Sequence, residues 1–272
     1  MKGTRIGWLM AVSGAAVLIC MIGLIWTFVH VFGGSTGEEV PAAGPAVPVV
    51  QNMASAADDG SIRILALGDS LTRGAGDSEG KGYVGYVVDE LQEQLEEEVV
   101  LNNLGMDGLT STELAAMLDQ EAIRQEAEAA DVMFLSIGAN DLFQRGETLL
   151  NMEEEAIRPL EEQYTRQLDS ILTELRELNA SAPIYLIGLY NPFIEYSESD
   201  TTSKIVRDWN YETAETAAKY DHTIVVPTFD LFQIDVQQFL HTDMFHPNTE
   251  GYQMIADRAA GLIMAWGVAG NE

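Results

Sequence analysis

The sequence predicts an α/β protein, a parallel β-sheet with helices on both faces. Two features predict it. Five short runs, at 62–67, 99–104, 131–137, 183–190 and 223–229, are largely apolar and rich in branched residues, as buried parallel strands are. Apolar residues in the stretches between and after them recur at three and four positions, the period of an amphipathic helix. Strands that alternate with helices assemble into a parallel sheet covered on both sides, and about 200 residues suffice to bury its core.

The elements follow in chain order. From Ile6 to Phe32 the chain carries no charged residue, a span of 27 positions. A helix needs about 20 apolar residues to cross a bilayer, whereas a cleaved signal peptide has an apolar run of about 7–15. Residues 6–32 are therefore expected to form a transmembrane anchor rather than a cleaved leader. Lys2 and Arg5 precede the run and no Lys or Arg follows until Arg63. Positive charge stays inside, so residues 1–5 are expected in the cytoplasm and the rest outside the cell, on a single-pass protein of the cell membrane. Cys20, the only cysteine, excludes an intramolecular disulfide, and Ile19 before it is too large for a lipoprotein signal. Residues 33–60, with Gly33-Gly34-Ser35 and Pro41-Ala42-Ala43-Gly44-Pro45, read as a flexible linker with little to bury. The remaining 61–272 are the expected folded domain.

Within that domain, 62–67 is the first strand and runs into Gly68-Asp69-Ser70-Leu71. Ligands bind at the carboxyl ends of strands in open α/β sheets, where loop and helix N–H groups can hold an oxyanion. Ser70 is placed there as a nucleophile, although an isolated Gly-Asp-Ser is also what a helix cap looks like. Val84, Val87, Val88, Leu91 and Leu95 predict the next helix. The strand at 99–104 leads into Gly105-Met106-Asp107-Gly108, where Gly105 lets a backbone N–H approach a ligand closely. The strand at 131–137 leads into Gly138-Ala139-Asn140-Asp141, where Asn140 offers an amide donor. Ile157, Leu160, Tyr164, Leu168, Ile171, Leu175 and Leu178 predict a long helix, and Tyr252, Ile255, Ala259, Leu262 and Trp266 a final one. Just before the last lies Asp243-Met244-Phe245-His246, a carboxylate three residues ahead of a histidine. A histidine base is held in one tautomer by a carboxylate on its other nitrogen, and a tight turn brings such a pair together.

The full set, Gly-Asp-Ser-Leu, then a glycine, then Gly-x-Asn-Asp, then Asp-x-x-His, resembles the SGNH/GDSL hydrolase family over residues 62 to 266. Ser70, Gly105, Asn140 and His246 match its four named blocks. Gly82-Tyr-Val-Gly-Tyr-Val87 is similar to membrane-anchored acylhydrolases and lipases of this family in Gram-positive bacteria. The resemblance implies a three-layer α/β/α, flavodoxin-like fold with a five-stranded sheet, and a serine hydrolase of esters or thioesters. Ser70 is then the nucleophile, His246 the base and Asp243 its orienter. The oxyanion receives the N–H groups of Ser70 and Gly105 and the side-chain amide of Asn140.

No cofactor is implied, and His30, His222 and His241 form no ligand cluster with spaced carboxylates, so no metal is assigned. The formal charge is −29, from 14 basic and 43 acidic residues. Such a surface argues against nucleic acid as a partner. No obligate protein partner is expected. The partners left are a small-molecule or lipid ester and, through the N-terminal helix, a membrane. The 141–152 segment, with Leu142, Phe143, Leu149 and Leu150, and the Asn191–Tyr196 segment are candidate walls for the substrate. The residues do not choose among lipids, lysolipids, acylated glycans and small esters; the resemblance puts small esters or acyl lipids first, with deacetylation of a cell-wall or other carbohydrate as the main enzymatic alternative. The reading from another class is a tethered envelope-binding module without catalysis.

Overall fold

The computed structural model describes residues 60–266, apart from 96, 196–198 and 234. The expected membrane anchor at 6–32 and the linker lie outside the described residues. Among the described residues no helix is long and apolar enough to cross a membrane.

The chain runs through β1 (Ile62–Gly68), α1 (Ser70–Arg73), α2 (Gly82–Gln94), β2 (Val99–Gly105), α3 (Ser111–Met117), α4 (Glu121–Ala129) and β3 (Val132–Ser136). It continues through α5 (Ala139–Phe143), α6 (Glu154–Leu178), β4 (Ile184–Ile187), α7 (Ser199–Ala217), β5 (Thr223–Val226), α8 (Val236–Phe239) and α9 (Thr249–Trp266). The expected α/β class and five parallel strands are therefore found. The sheet order is β2-β1-β3-β4-β5, every neighbouring pair parallel. This is the flavodoxin-like doubly wound order, whose direction reverses between β1 and β3.

Alternation along each strand feeds two cores. Ile64 and Ala66 of β1, Phe134 of β3 and Tyr185 of β4 face one side, where Val84, Val87 and Leu91 of α2 and Tyr252, Ile255 and Ala259 of α9 cover them. Leu65, Leu67, Met133, Leu135 and Leu186 face the other, under Leu168, Ile171 and Leu175 of α6 and Val206 and Trp209 of α7. The apolar stripes read from the sequence at 84–95, 157–178 and, as far as Leu262, at 252–266 are thus the faces that close the sheet.

Three helices longer than five residues carried no such stripe in the sequence reading. The buried face of α7 includes Thr202, Ser203, Thr213 and Thr216 beside Val206 and Trp209, so its hydrophobic period is diluted by hydroxyls. Helices α3 and α4 are too short, at seven and nine residues, to show more than two turns. The first of these does announce itself, because Thr110 and Glu113 form a capping box that a Thr-x-x-Glu spacing encodes. β4 and β5 are shorter than the apolar runs that predicted them, since the chain leaves the sheet at Gly188 and Pro227.

Candidate active site

The site sits where the strand order reverses, at the carboxyl ends of β1 and β3. Gly68 makes the first turn possible. Its φ is +145°, and a Cβ there would lie 2.3 Å from the Ser136 carbonyl oxygen, so only glycine fits. Asp69 then caps α1, its Oδ1 accepting from the Leu71 N–H at 3.0 Å. Ser70 follows as the first residue of the helix, on the floor of the cleft and 8% exposed.

His246 reaches Ser70 from the other end of the chain. Its Nε2 is 2.8 Å from Ser70 Oγ, and its Nδ1 is 2.6 Å from Asp243 Oδ2. The other carboxylate oxygen, Oδ1, accepts from the N–H groups of Phe245 and His246, both at 3.0 Å, so Asp243 builds the turn that carries its own partner. Burial acts to raise the Asp243 pKa, but the bonds from the His246 side chain and these two N–H groups hold it below the usual carboxylate range. Met244 takes a left-handed φ of +57° to close the turn. Leu240 and Pro247 pair across it as an antiparallel bridge.

Further bonds clasp this turn to the nucleophile. Tyr190 OH donates to the Phe245 carbonyl at 2.6 Å, and Tyr252 OH to the Ala75 carbonyl at 2.7 Å. Thr249 Oγ1 donates to Asp77 Oδ1 at 2.7 Å. Asp77 in turn accepts from the N–H groups of Lys81 and Gly82 at 2.9 and 3.0 Å. The loop after α1 and the start of α9 are thereby held together.

Behind Ser70 lies a buried polar chain that the sequence did not reveal. Ser136 Oγ donates to Asp69 Oδ1 at 2.7 Å, and Thr72 Oγ1 lies 2.7 Å from Ser136 Oγ and 2.9 Å from Tyr83 OH. Burial pushes the Asp69 carboxyl up to about 6, against the pull of Ser136, the Leu71 N–H and nearby His246. The four partners come from three elements, so no local spacing could have found them.

Of the three expected oxyanion donors, two are at the cleft. Ser70 N–H, at the first position of α1, has no acceptor within its helix. Asn140 lines the cleft with Ser70 and His246. Its Nδ2 donates to the Leu109 carbonyl at 2.9 Å, which fixes the amide and leaves one hydrogen for a ligand. Gly105 is the correction. Its N–H donates to Asn103 Oδ1 at 2.9 Å, and a Cβ on it would lie 2.4 Å from the Arg73 nitrogen. Gly105 is needed so that β2 can pass α1, and its N–H is already used. Gly108, three residues on, takes a φ of +75° and lines the cleft with Ser70, Asn140 and His246. Gly108 rather than Gly105 is thus the glycine of this segment that borders the cleft.

The walls are mixed. Phe143, Leu149 and Phe193 line the cleft as expected of their two segments, whereas Leu142 is fully buried in the core and Leu150 is 88% exposed. Asn191 pins the second wall, accepting from the Phe193 N–H at 2.9 Å and donating to Thr202 and Ser203 of α7. Tyr196 lies outside the described residues.

A nucleophile, base and carboxylate on the switch point of a doubly wound sheet define a serine ester hydrolase. The profile of the GDSL-like lipase/acylhydrolase family matches residues 66–254, and the chain belongs to that family. It is 29% identical over 211 residues to the spore germination lipase LipC of Bacillus licheniformis, across 74% of this chain and 97% of that one. Among solved structures it resembles the lipase Lip_vut3 from a goat rumen metagenome, with TM-score 0.67 and 27% identity, covering 74% of this chain and 98% of that one. It also resembles a catalytic mutant of Axe2, an acetylxylan esterase from Geobacillus stearothermophilus, with TM-score 0.59 and 25% identity over 75% and 95% of the two chains. The protein is a carboxylic ester hydrolase of the SGNH/GDSL type.

Proposed function

We propose that the chain hydrolyses carboxylic esters through an acyl-enzyme on Ser70, at the outer face of a cell membrane to which residues 6–32 anchor it. The observation that carries the mechanism is the unbroken line from Ser70 Oγ through His246 to Asp243, at 2.8 and 2.6 Å. Ser70 Oγ attacks the carbonyl carbon while its proton passes to His246 Nε2. The imidazolium, oriented and stabilised by Asp243, then protonates the departing alkoxide. Water then attacks the acyl carbon and loses its proton to the same nitrogen; the acyl–Oγ bond breaks, and the imidazolium returns the proton to Ser70 Oγ as the acid leaves. The oxyanion receives Ser70 N–H, Asn140 Nδ2 and Gly108 N–H, the last a group without a protein partner among the described residues. The anchor and the extracellular location rest on the uncharged run from Ile6 to Phe32 and on Lys2 and Arg5 before it.

The test is hydrolysis of p-nitrophenyl acetate by the full-length protein and by Ser70→Ala. The variant is expected to keep its circular dichroism spectrum and lose turnover by about 10⁴-fold or more, since little but the oxyanion site then remains. Wild-type turnover in Ser70→Ala removes Ser70 from the mechanism. The similar proteins named above include lipases and an acetylxylan esterase, so they bracket the acyl group without choosing it.

A further inference from the structure

The geometry points to short-chain acyl esters of a bulky alcohol as the substrate class, with Phe143 as the residue that sets the acyl length. This rests on Ser70 being the nucleophile. Two spaces meet at Ser70 and His246. One is an open cleft of about 530 Å³ that holds Asn140, Gly108 and, further out, Asp107 and Arg145. The other is a narrow recess of about 30 Å³ behind Ser70, walled by Ile137, Ala139, Ile187, Leu189, Tyr190 and Pro192. Phe143 and Phe245 border both spaces.

The two spaces differ in what they can hold. One water-sized position takes about 10–15 Å³, so the recess admits about two to three carbons beyond the carbonyl. Its lining is mostly apolar, although Asp69 and Ser136 contribute to it beside Ser70 and His246. The oxyanion donors Asn140 and Gly108 face the open cleft and do not line the recess. With the carbonyl oxygen held there, the remaining two substituents of the carbonyl carbon divide between the spaces. The leaving alcohol must reach solvent after His246 protonates it, so it takes the open cleft. The acyl group stays on Ser70 and takes the recess.

The partition is rigid. Phe143 is 5% exposed, and its ring meets those of Phe193 and Phe245 edge-on, at 5.2 and 5.9 Å between centroids. Phe245 in turn packs against His246 at 5.1 Å. A longer chain in the recess therefore has to displace Phe143 and, through Phe245, disturb the base.

The experiment is a chain-length series with the full-length protein in detergent. kcat/KM is measured on p-nitrophenyl acetate, butyrate and octanoate, with active enzyme counted by a fluorophosphonate. Wild type is expected to favour butyrate over octanoate by at least about 10-fold, the scale on which an apolar pocket discriminates extra methylenes. Phe143→Ala is expected to raise the octanoate-to-butyrate ratio by about 10-fold or more. Phe143→Leu, run beside it in case the alanine variant does not fold, is expected to fall between. Leu150→Ala, at an exposed side chain that lines neither space, is expected to leave the ratio as in wild type. A wild type that takes octanoate as well as butyrate overturns the proposal. So does a ratio unmoved in folded Phe143 variants that still react with the fluorophosphonate. Failure of the wild type to react with it indicts the Ser70 mechanism instead.

Discussion

At the scale of single residues, Asn140 and Asp69 make the clearest separable contributions. Asn140 meets the substrate most strongly once the carbonyl oxygen carries charge. Asn140→Ala is therefore expected to lower kcat by about 10²–10³-fold with a smaller change in KM. A rise in KM alone makes Asn140 a ground-state binder. Asp69 is read through stability. Burial raises its carboxyl from 3.8 to about 6, so the folded state binds that proton more tightly than the unfolded chain. Its contribution is fully present below 3.8 and is lost as pH rises through about 6. A shift of this size is on the order of 3 kcal/mol. Asp243, held below its ordinary value, acts in the opposite sense, with stability present above 3.8 and lost as pH falls. Comparing wild type with Asp69→Asn cancels Asp243. Denaturant unfolding between pH 3.5 and 7 is expected to show the variant gaining on wild type as pH rises. A difference constant with pH contradicts the assignment. Ser70, Asp243 and His246 were legible because short local spacings encode their turns. Gly108 was not, because the sequence shows two glycines three apart and only the passage of β2 beside α1 says which is packed and which is open.

At the scale of elements, the oxyanion side of the cleft depends on a junction between α3 and α5. Asp141, next to Asn140, is buried, and its carboxylate accepts from the Ser111 N–H at 2.9 Å and from Ser111 Oγ at 2.5 Å. These bonds tie the first turn of α3 to the helix that carries Asn140. Burial raises the Asp141 pKa and the Ser111 bonds pull against it. Ser111→Ala removes one donor from a buried carboxylate, a loss of about 1–3 kcal/mol. Asn140 should be displaced with it, so kcat is expected to fall further than KM rises. A variant that loses stability by thermal unfolding but keeps kcat separates the junction from catalysis. Asn103 plays the matching part on the other side, its Nδ2 donating to the Thr72 carbonyl at 2.8 Å. An asparagine within an apolar strand was a visible signal of such a bond, whereas the hydroxyl-rich face of α7 hid a helix that the chain does form.

At the scale of the whole molecule, one fact of topology explains why residues 176 apart in sequence meet. Helices α2 and α9 pack side by side on one face of the sheet, which brings the loop after α1 against the turn before α9. A parallel sheet covered on both faces was readable from alternation of strand and helix; the flavodoxin-like arrangement came from the family resemblance, and the switch point is seen only in the strand order itself. The anchor and linker were readable only as composition. If 33–60 is the linker that its glycines and prolines predict, protease added to intact cells releases an active fragment beginning near Ala54 to Ser61. A domain protected until the cells are opened reverses the orientation. The central claim is the covalent acyl-enzyme, and acid quenching during turnover of p-nitrophenyl butyrate, followed by peptide mass spectrometry, tests it most directly. The mass of one butyryl group is expected on the peptide containing Ser70, with no adduct in Ser70→Ala. Turnover with no adduct on Ser70, or with the acyl group on another residue, contradicts it.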